Sequence, residues 1–130
     1  MNKKVFCTDK IPQPNGPYSQ AVIYNETLYI SGQLPLDPIT GDLVQGGIEE
    51  QAPASLNRLK IIAEEAGFSL KGALKITCYL TDMNDFKRFN EIYALYFNDA
   101  PPARTAIQVG KLPLGAKIEI DAIIGRTGQE

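Results

Sequence analysis

Two hydrophobic periods alternate along the chain. In Ala73–Leu80, Leu74, Ile76, Cys78 and Leu80 occupy every second position with Lys75, Thr77 and Tyr79 between them, the signature of a half-buried strand. Ala52, Leu56, Leu59, Ala63 and Ala66 instead recur at spacings of 4, 3, 4 and 3, with Ile62 widening the stripe, which predicts a helix from about Ile48 to Ala66 stopped by Gly67. Pro53 conflicts with a regular first half, because it lacks an N–H and crowds the preceding turn; either the regular helix begins near Gln51 or its first turns are bent. A second helix running to about Phe97, capped by Asp82 or Asn84, carries the stripe Phe86, Phe89, Tyr93 and Tyr96/Phe97 before Pro101-Pro102 ends the region. Gln20–Tyr24 and Thr27–Ser31 read as strands around a turn at Asn25-Glu26. Thr105–Val109 and Lys117–Ile124 read as closing strands joined by the loop GKLPLGA. Ile11–Pro17 is an irregular lead-in, and the Gly/Pro-rich stretch Gly32–Gly47 suits short extended pieces.

The predicted order is β-β-(irregular)-α-β-α-β-β. Two amphipathic helices, each with one apolar stripe, suit packing on one face of a mixed or antiparallel sheet, an α+β layer architecture. No third helix remains to cover the other sheet face, so oligomerisation is the simplest solution. With 130 residues, no visible repeat or linker, 44% hydrophobic and 22% charged residues, residues 1–130 read as one globular domain.

Composition narrows the chemistry. The chain has no histidine, which removes Ser-His-Asp and Cys-His nucleophile systems and imidazole metal sites. Cys7 and Cys78 are far apart in sequence and form no C-x-x-C pair. The net charge of −2 and the scattered Lys and Arg give no basic footprint for nucleic acid. No apolar run reaches the roughly 18 residues of a membrane span, and the opening MNKKVFCTDKIPQP lacks a signal-like apolar core. A cytoplasmic protein with reduced thiols is expected. The chain contains neither G-x-x-x-x-G-K-[ST] nor G-x-G-x-x-G, and its acidic residues lack EF-hand spacing.

Several residues remain as candidates for chemistry. Arg104 follows Pro-Pro-Ala at the start of a strand, where its planar fork could take a carboxylate; a surface arginine or a structural ion pair fits the same pattern. Glu119, in KIEIDAII, could orient or activate water if desolvated, or could belong to a solvated strand face with Lys117 and Asp121. Asn90 falls inside the aromatic stripe, where a buried amide needs partners, either a ligand or a neighbouring backbone. Tyr18 in GPYS and Ser31-Gly32 at a strand end offer hydroxyls and a close backbone approach, although such residues are common in turns.

Taken in order, GPYSQAV (16–22), SGQLPLDPITGDL (31–43), AGFSLKGALKITCYLTDMNDF (66–86), FNEIYALYF (89–97) and PPARTAIQV…LPLGAKIEIDAI (101–123) resemble the RidA (YjgF) family of reactive-intermediate deaminases over nearly the whole chain. The resemblance implies a chorismate-mutase-like α+β fold and a homotrimer with a barrel-like centre and ligand clefts between subunits. It also implies detoxifying hydrolysis of 2-aminoacrylate, 2-iminopropanoate and 2-iminobutanoate to 2-keto acids and ammonia, without metal or cofactor. In that scheme Arg104 holds the substrate carboxylate and Glu119 positions water, while Tyr18, Ser31, Gly32 and Asn90 line the cleft. Many relatives carry cysteine where this chain has Ala106, a departure that removes a thiol from the cleft. A non-catalytic 2-keto-acid binder or enzyme regulator on the same fold is the alternative. Ribonuclease activity is disfavoured by the missing histidine and basic patch, and chorismate mutase would rest on fold alone.

Overall fold

A computed structural model describes residues 3–127. Six strands, β1 (Lys3–Phe6), β2 (Ala21–Tyr24), β3 (Thr27–Gln33), β4 (Ala73–Leu80), β5 (Ala103–Gln108) and β6 (Ile118–Gly125), form one sheet in the order β1-β2-β3-β6-β4-β5. All neighbours run antiparallel except β4 and β5. That parallel pair is bridged by α2 (Phe86–Tyr93), as a parallel crossover requires. The other helix, α1 (Ile48–Glu65), packs on β3 and β6 and against α2. The mixed sheet with its two helices is the α+β architecture expected from the pattern.

The core lies between helices and sheet. Alternation in β6 buries Ile118, Ile120, Ala122 and Ile124, and β4 adds Ile76, Cys78 and Leu80. Against them α1 presents Ala52, Leu56, Leu59, Ile62 and Ala63, and α2 presents Phe89, Ile92 and Tyr93. Among the described residues no helix covers the opposite sheet face. It carries Tyr29, Thr77, Tyr79, Ile107, Glu119 and Asp121, with Tyr29 and Ile107 exposed.

Several boundaries differ from the pattern, each for a local reason. β1 was not predicted: its residues are nearly all exposed, so this lysine-bearing edge strand shows no apolar alternation. Helix α1 starts at Ile48 despite Pro53, so the proline sits inside the second turn. Its first turn is supported by Glu49 and Glu50, and the Glu50 carboxylate accepts from the Gly47 N–H at 2.8 Å. Gly67 terminates α1 at φ 84°, with the Phe68 N–H reaching back to the Ala63 carbonyl at 2.8 Å. Helix α2 ends at Tyr93 rather than Phe97. Beyond it, bonds from Leu95 N–H to Ile92 O and from Tyr96 N–H to Tyr93 O tighten the chain into turns that still bury Phe97. Leu74, expected on the buried face of β4, is 55% exposed, because a bulge sets Ala73 and Lys75 against the consecutive residues Ile124 and Ile123. Among the described residues no helix is long and apolar enough to cross a membrane.

Gly72, at the end of the single turn Leu70–Gly72, tests the tightness of this region. A Cβ there would strike the Gly125 carbonyl, a backbone atom at the end of β6 that cannot swing aside. Gly72→Ala should lower unfolding free energy by about 1–3 kcal/mol, read as a reduced urea midpoint with unchanged slope.

Candidate active site

The site begins with an irregularity in β3. Strand alternation sends Leu28 and Ile30 inward, and Ile30 stands opposite Ala122 of β6. Continued alternation would bury Gly32. Instead Gln33 is the next residue in register, opposite Ile120, so three steps along β3 match two along β6. Ser31 and Gly32 occupy the resulting bulge. The Ser31 hydroxyl donates to the Ser19 carbonyl at 2.6 Å and ties down the GPYS segment that carries Tyr18.

At the bulge the backbone of Gly32 lies against Glu119. A side chain at Gly32 would put its Cβ 2.8 Å from the Glu119 carboxyl carbon, so close approach is the physical demand for glycine here. Glu119 is partly buried, and desolvation, with a smaller contribution from nearby Asp121, pushes its pKa above the usual carboxylate value. Asp121 itself accepts a hydrogen bond from the Tyr79 hydroxyl at 2.9 Å. Tyr18, Ser31, Gly32 and Glu119 line one cleft of about 670 Å³, with Arg58 and Leu114 among its other walls.

Arg104 lies elsewhere. It pairs laterally with Ile76, and Ala106 with Cys78, so both point to the helix-covered face of the sheet. Glu119 pairs with Tyr79 and points to the opposite face. The Arg104 guanidinium donates through Nη1 to Asn90 Oδ1 at 2.8 Å. It also stands over the rings of Phe86, Phe89 and Tyr93, with Cζ 5.4, 6.0 and 4.8 Å from their centroids. Asn90 Oδ1 therefore braces a side chain rather than a neighbouring backbone. No described carboxylate pairs with Arg104. Within one chain the six candidates thus form two groups, Arg104 with Asn90 on one face and Tyr18, Ser31, Gly32 and Glu119 around the bulge.

Thiol chemistry gains little here. Cys7 and Cys78 are both free. Cys78 sits inside the sheet beside the Arg104 group, and burial pushes its thiol up to about 12, far from a reactive thiolate. Among the described residues no cluster of His, Cys, Asp or Glu is placed to hold a metal ion.

Hydrophobic counting passed over Arg58. It is 8% exposed, on the inner face of α1 at helical spacing from Gln51, Ser55 and Ile62, which are also buried. Its Nε donates to Gln33 Oε1 at 3.0 Å, while Nη1 is buried with no hydrogen-bond partner. Burial lowers its pKa, and the nearby Tyr18 hydroxyl raises it. An arginine in step with the apolar stripe was the available signal.

The chain is similar to known proteins over most of its length. The profile of the family described as Endoribonuclease L-PSP matches residues 8–125. A mouse protein named 2-iminobutanoate/2-iminopropanoate deaminase is 50% identical over 121 residues, covering 93% of this chain and 90% of its own. A RutC family protein of Pyrococcus horikoshii is 49% identical, covering 93% of this chain and 96% of its own. The crystal structure of E. coli TdcF with bound serine superposes with a TM-score of 0.89 at 37% identity, over 95% of this chain and 99% of the other. That of the E. coli YjgF gene product gives 0.87 at 36%, over 95% and 99%. With a profile match over most of its length and a related fold in each comparison, the chain belongs to the Endoribonuclease L-PSP family, the RidA (YjgF) family.

Proposed function

We propose that this protein hydrolyses small 2-imino acids, including the tautomers of 2-aminoacrylate, to 2-oxo acids and ammonia. The observation that carries the reading is the state of Arg104. Its guanidinium is fixed by an amide oxygen and three aromatic rings, and no described carboxylate neutralises it. Such a group is oriented for an incoming carboxylate and retains the charge to bind it. The names of the mammalian relatives support the reaction. The serine in TdcF shows a relative binding a molecule of the same size and charge pattern.

In the proposed reaction the substrate carboxylate docks on Arg104. Glu119 accepts a hydrogen bond from a water molecule and takes a proton as that water attacks the imine carbon. Glu119 passes that proton to the nitrogen, giving the tetrahedral aminoalcohol. It then takes the hydroxyl proton as the carbonyl forms and the C–N bond breaks, and delivers it to the nitrogen, which leaves as ammonia, so one water is consumed for each ammonia released. A carboxylate with a raised pKa suits both transfers, because it binds a proton more readily near neutral pH than an exposed glutamate does. Tyr18, Ser31, Gly32 and Asn90 shape the cleft or brace its charged groups.

The two groups lie on opposite faces of one sheet, so a complete cleft needs Arg104 of one copy beside Glu119 of another. We infer a homotrimer that covers the open sheet face and forms its clefts between subunits, with residues 1–130 acting as one domain in the cytoplasm. The assembly needs no metal or cofactor for this chemistry, since orientation and one proton carrier suffice.

With 2-iminobutanoate generated by an amino-acid oxidase and trapped by semicarbazide, the protein should suppress semicarbazone formation. Arg104→Lys should lower kcat/KM by roughly a hundredfold, since a point charge cannot reproduce a two-pronged contact. Unchanged trapping by a well-folded sample that still binds 2-oxobutanoate would replace catalysis with ligand binding. Glu119→Gln should cost about 10²-fold in turnover and abolish the acid limb of the rate profile, which in the wild type lies above 4.5 because the folded pKa is raised. The same shift fixes the sign for stability. A raised folded pKa means the folded state holds the proton more tightly, so this group's contribution is fully present below pH 4.5 and lost as pH rises through the raised value. Glu119→Gln should therefore unfold at a higher temperature than wild type at pH 7, with the gain vanishing below pH 4.5. Light scattering at assay concentration should give a trimer mass; an active monomer would break the shared-cleft arrangement.

A further inference from the structure

The chain has four arginines, and they are held in two different ways. Arg88 and Arg126 lie on the surface and pair with carboxylates, Glu49 and Glu91 for the first and Glu26 for the second. Arg104 and Arg58 take a side-chain amide oxygen instead, from Asn90 and Gln33. An amide orients a guanidinium without cancelling its charge. For Arg104 that arrangement suits an incoming anion, and Arg58 repeats it in a more buried setting.

Burial makes Arg58 the sharper case. Its side chain is more than nine-tenths buried and Nη1 has no hydrogen-bond partner among the described residues. Arginine does not lose its proton in proteins, so the charge stays in place. Among the described residues the one ionisable group that acts on it is the Tyr18 hydroxyl, and no carboxylate pairs with it. A buried unpaired charge is costly, and a protein that keeps one usually supplies its counter-ion from a bound group. The space for such a group is present. Arg58, Gln33, Gln20, Tyr18 and Gly32 line an inner chamber of about 60 Å³. Arg58, Tyr18 and Gly32 also line the larger Glu119 cleft. The chamber holds about two water volumes, room for a carboxylate whose stem runs out into the larger cleft. Its walls are fixed: Gln33 Nε2 donates to the Ser31 carbonyl at 2.9 Å, and Gln20 clamps the lead-in through Thr8 and Pro12.

We propose that Arg58 is a second carboxylate anchor, and that the cleft prefers dicarboxylic ligands: 2-imino and 2-oxo acids bearing a further carboxylate on the side chain. This rests on the reading of Arg104 as the anchor for the first carboxylate. The substrate's 1-carboxylate meets Arg104, its reacting carbon lies beside Glu119, and its distal carboxylate enters the inner chamber to meet Arg58. The reaction that supplies such a substrate is of the class that oxidises the α-amine of an amino dicarboxylic acid, or dehydrates one that bears a β-hydroxyl.

The test measures binding and turnover separately on the full chain. Calorimetric titration with 2-oxobutanoate, oxaloacetate and 2-oxoglutarate should show at least one dicarboxylate bound tenfold or more tightly than 2-oxobutanoate. Arg58→Met keeps the apolar stem and should lower that affinity ratio at least tenfold, whereas Arg58→Lys should retain part of it. If Arg58→Met fails to fold, the wild-type ratio and the lysine variant decide. Equal wild-type affinities, or losses of the same size for all three ligands in the variant, overturn the assignment. Turnover of imines from 2-aminobutyrate and glutamate, each released by its oxidase, separates the two readings. Hydrolysis without dicarboxylate preference sinks the role of Arg58 and leaves the deaminase standing. An Arg58-dependent preference in binding without hydrolysis of either imine sinks the deaminase and leaves the anchor.

Discussion

A β-sheet sends successive side chains to opposite faces, and this constraint decides how the candidate site is distributed. Arg104 is in step with Ile76 and Cys78 on the helix-covered face, whereas Glu119 is in step with Tyr79 on the open one. No rotamer change brings the two together, because the sheet lies between them. What spares Arg104 complete burial is the position of β5 at the sheet edge, where the guanidinium can pass beneath α2 and remain partly accessible. One fold thus places an arginine without a carboxylate partner at its edge and a desolvated carboxylate at its bulge, the two groups that the proposed reaction uses. Assembly of like copies is the economical way to join them, and it would cover the open face that the chain leaves bare.

Charge is handled differently in the two settings. A surface arginine gains little from its ion pair, and loses little without it, because water screens both states. Arg104 and Arg58 are held by groups that orient but do not neutralise: an amide oxygen in each case, with aromatic faces added around Arg104. Replacing either amide by a carboxylate would give a firmer structural pair and a poorer anion receptor. The Gly32 contact is the matching device for the opposite charge. It lets backbone crowd the Glu119 carboxylate, so part of its hydration is displaced without a compensating cation.

Periodicity made most of the fold legible in the sequence. The strand Ala73–Leu80 and the start of α1 at Ile48 follow from side-chain spacing, because burial on one face imposes a regular repeat. The features that escaped all interrupt or ignore that repeat. The edge strand Lys3–Phe6 buries almost nothing, so it leaves no alternation to read. The bulge at Ser31-Gly32 lies where the strand was expected to end, although β3 runs on to Gln33, and its effect is visible only through its partner Ile120. The candidate residues Arg104 and Glu119 were identifiable from their motifs, yet their assignment to opposite faces depends on pairing register, which spacing within one segment does not encode. Arg58 was hidden for another reason: a count of apolar positions gives no weight to a charged residue that shares their face.

The chemistry proposed for this site needs few parts, and that bears on where its selectivity would reside. An imine carbon adjacent to a carboxylate is already open to water, so a strong nucleophile is unnecessary. Consistent with that, Cys78 is buried with a thiol pushed up to about 12, and its lateral partner in β5 is Ala106, which carries no nucleophile. With no covalent step to control, discrimination between imino acids falls to the groups that hold the ends of the molecule. A single anchor at Arg104 would accept any small 2-imino acid. A second arginine, buried and unpaired within the cleft wall, imposes a length and a charge on what fits, because ligands without a distal carboxylate would leave its charge uncompensated. The same fold can thus serve as a general scavenger or a selective one according to the residue carried on the inner face of α1 at position 58.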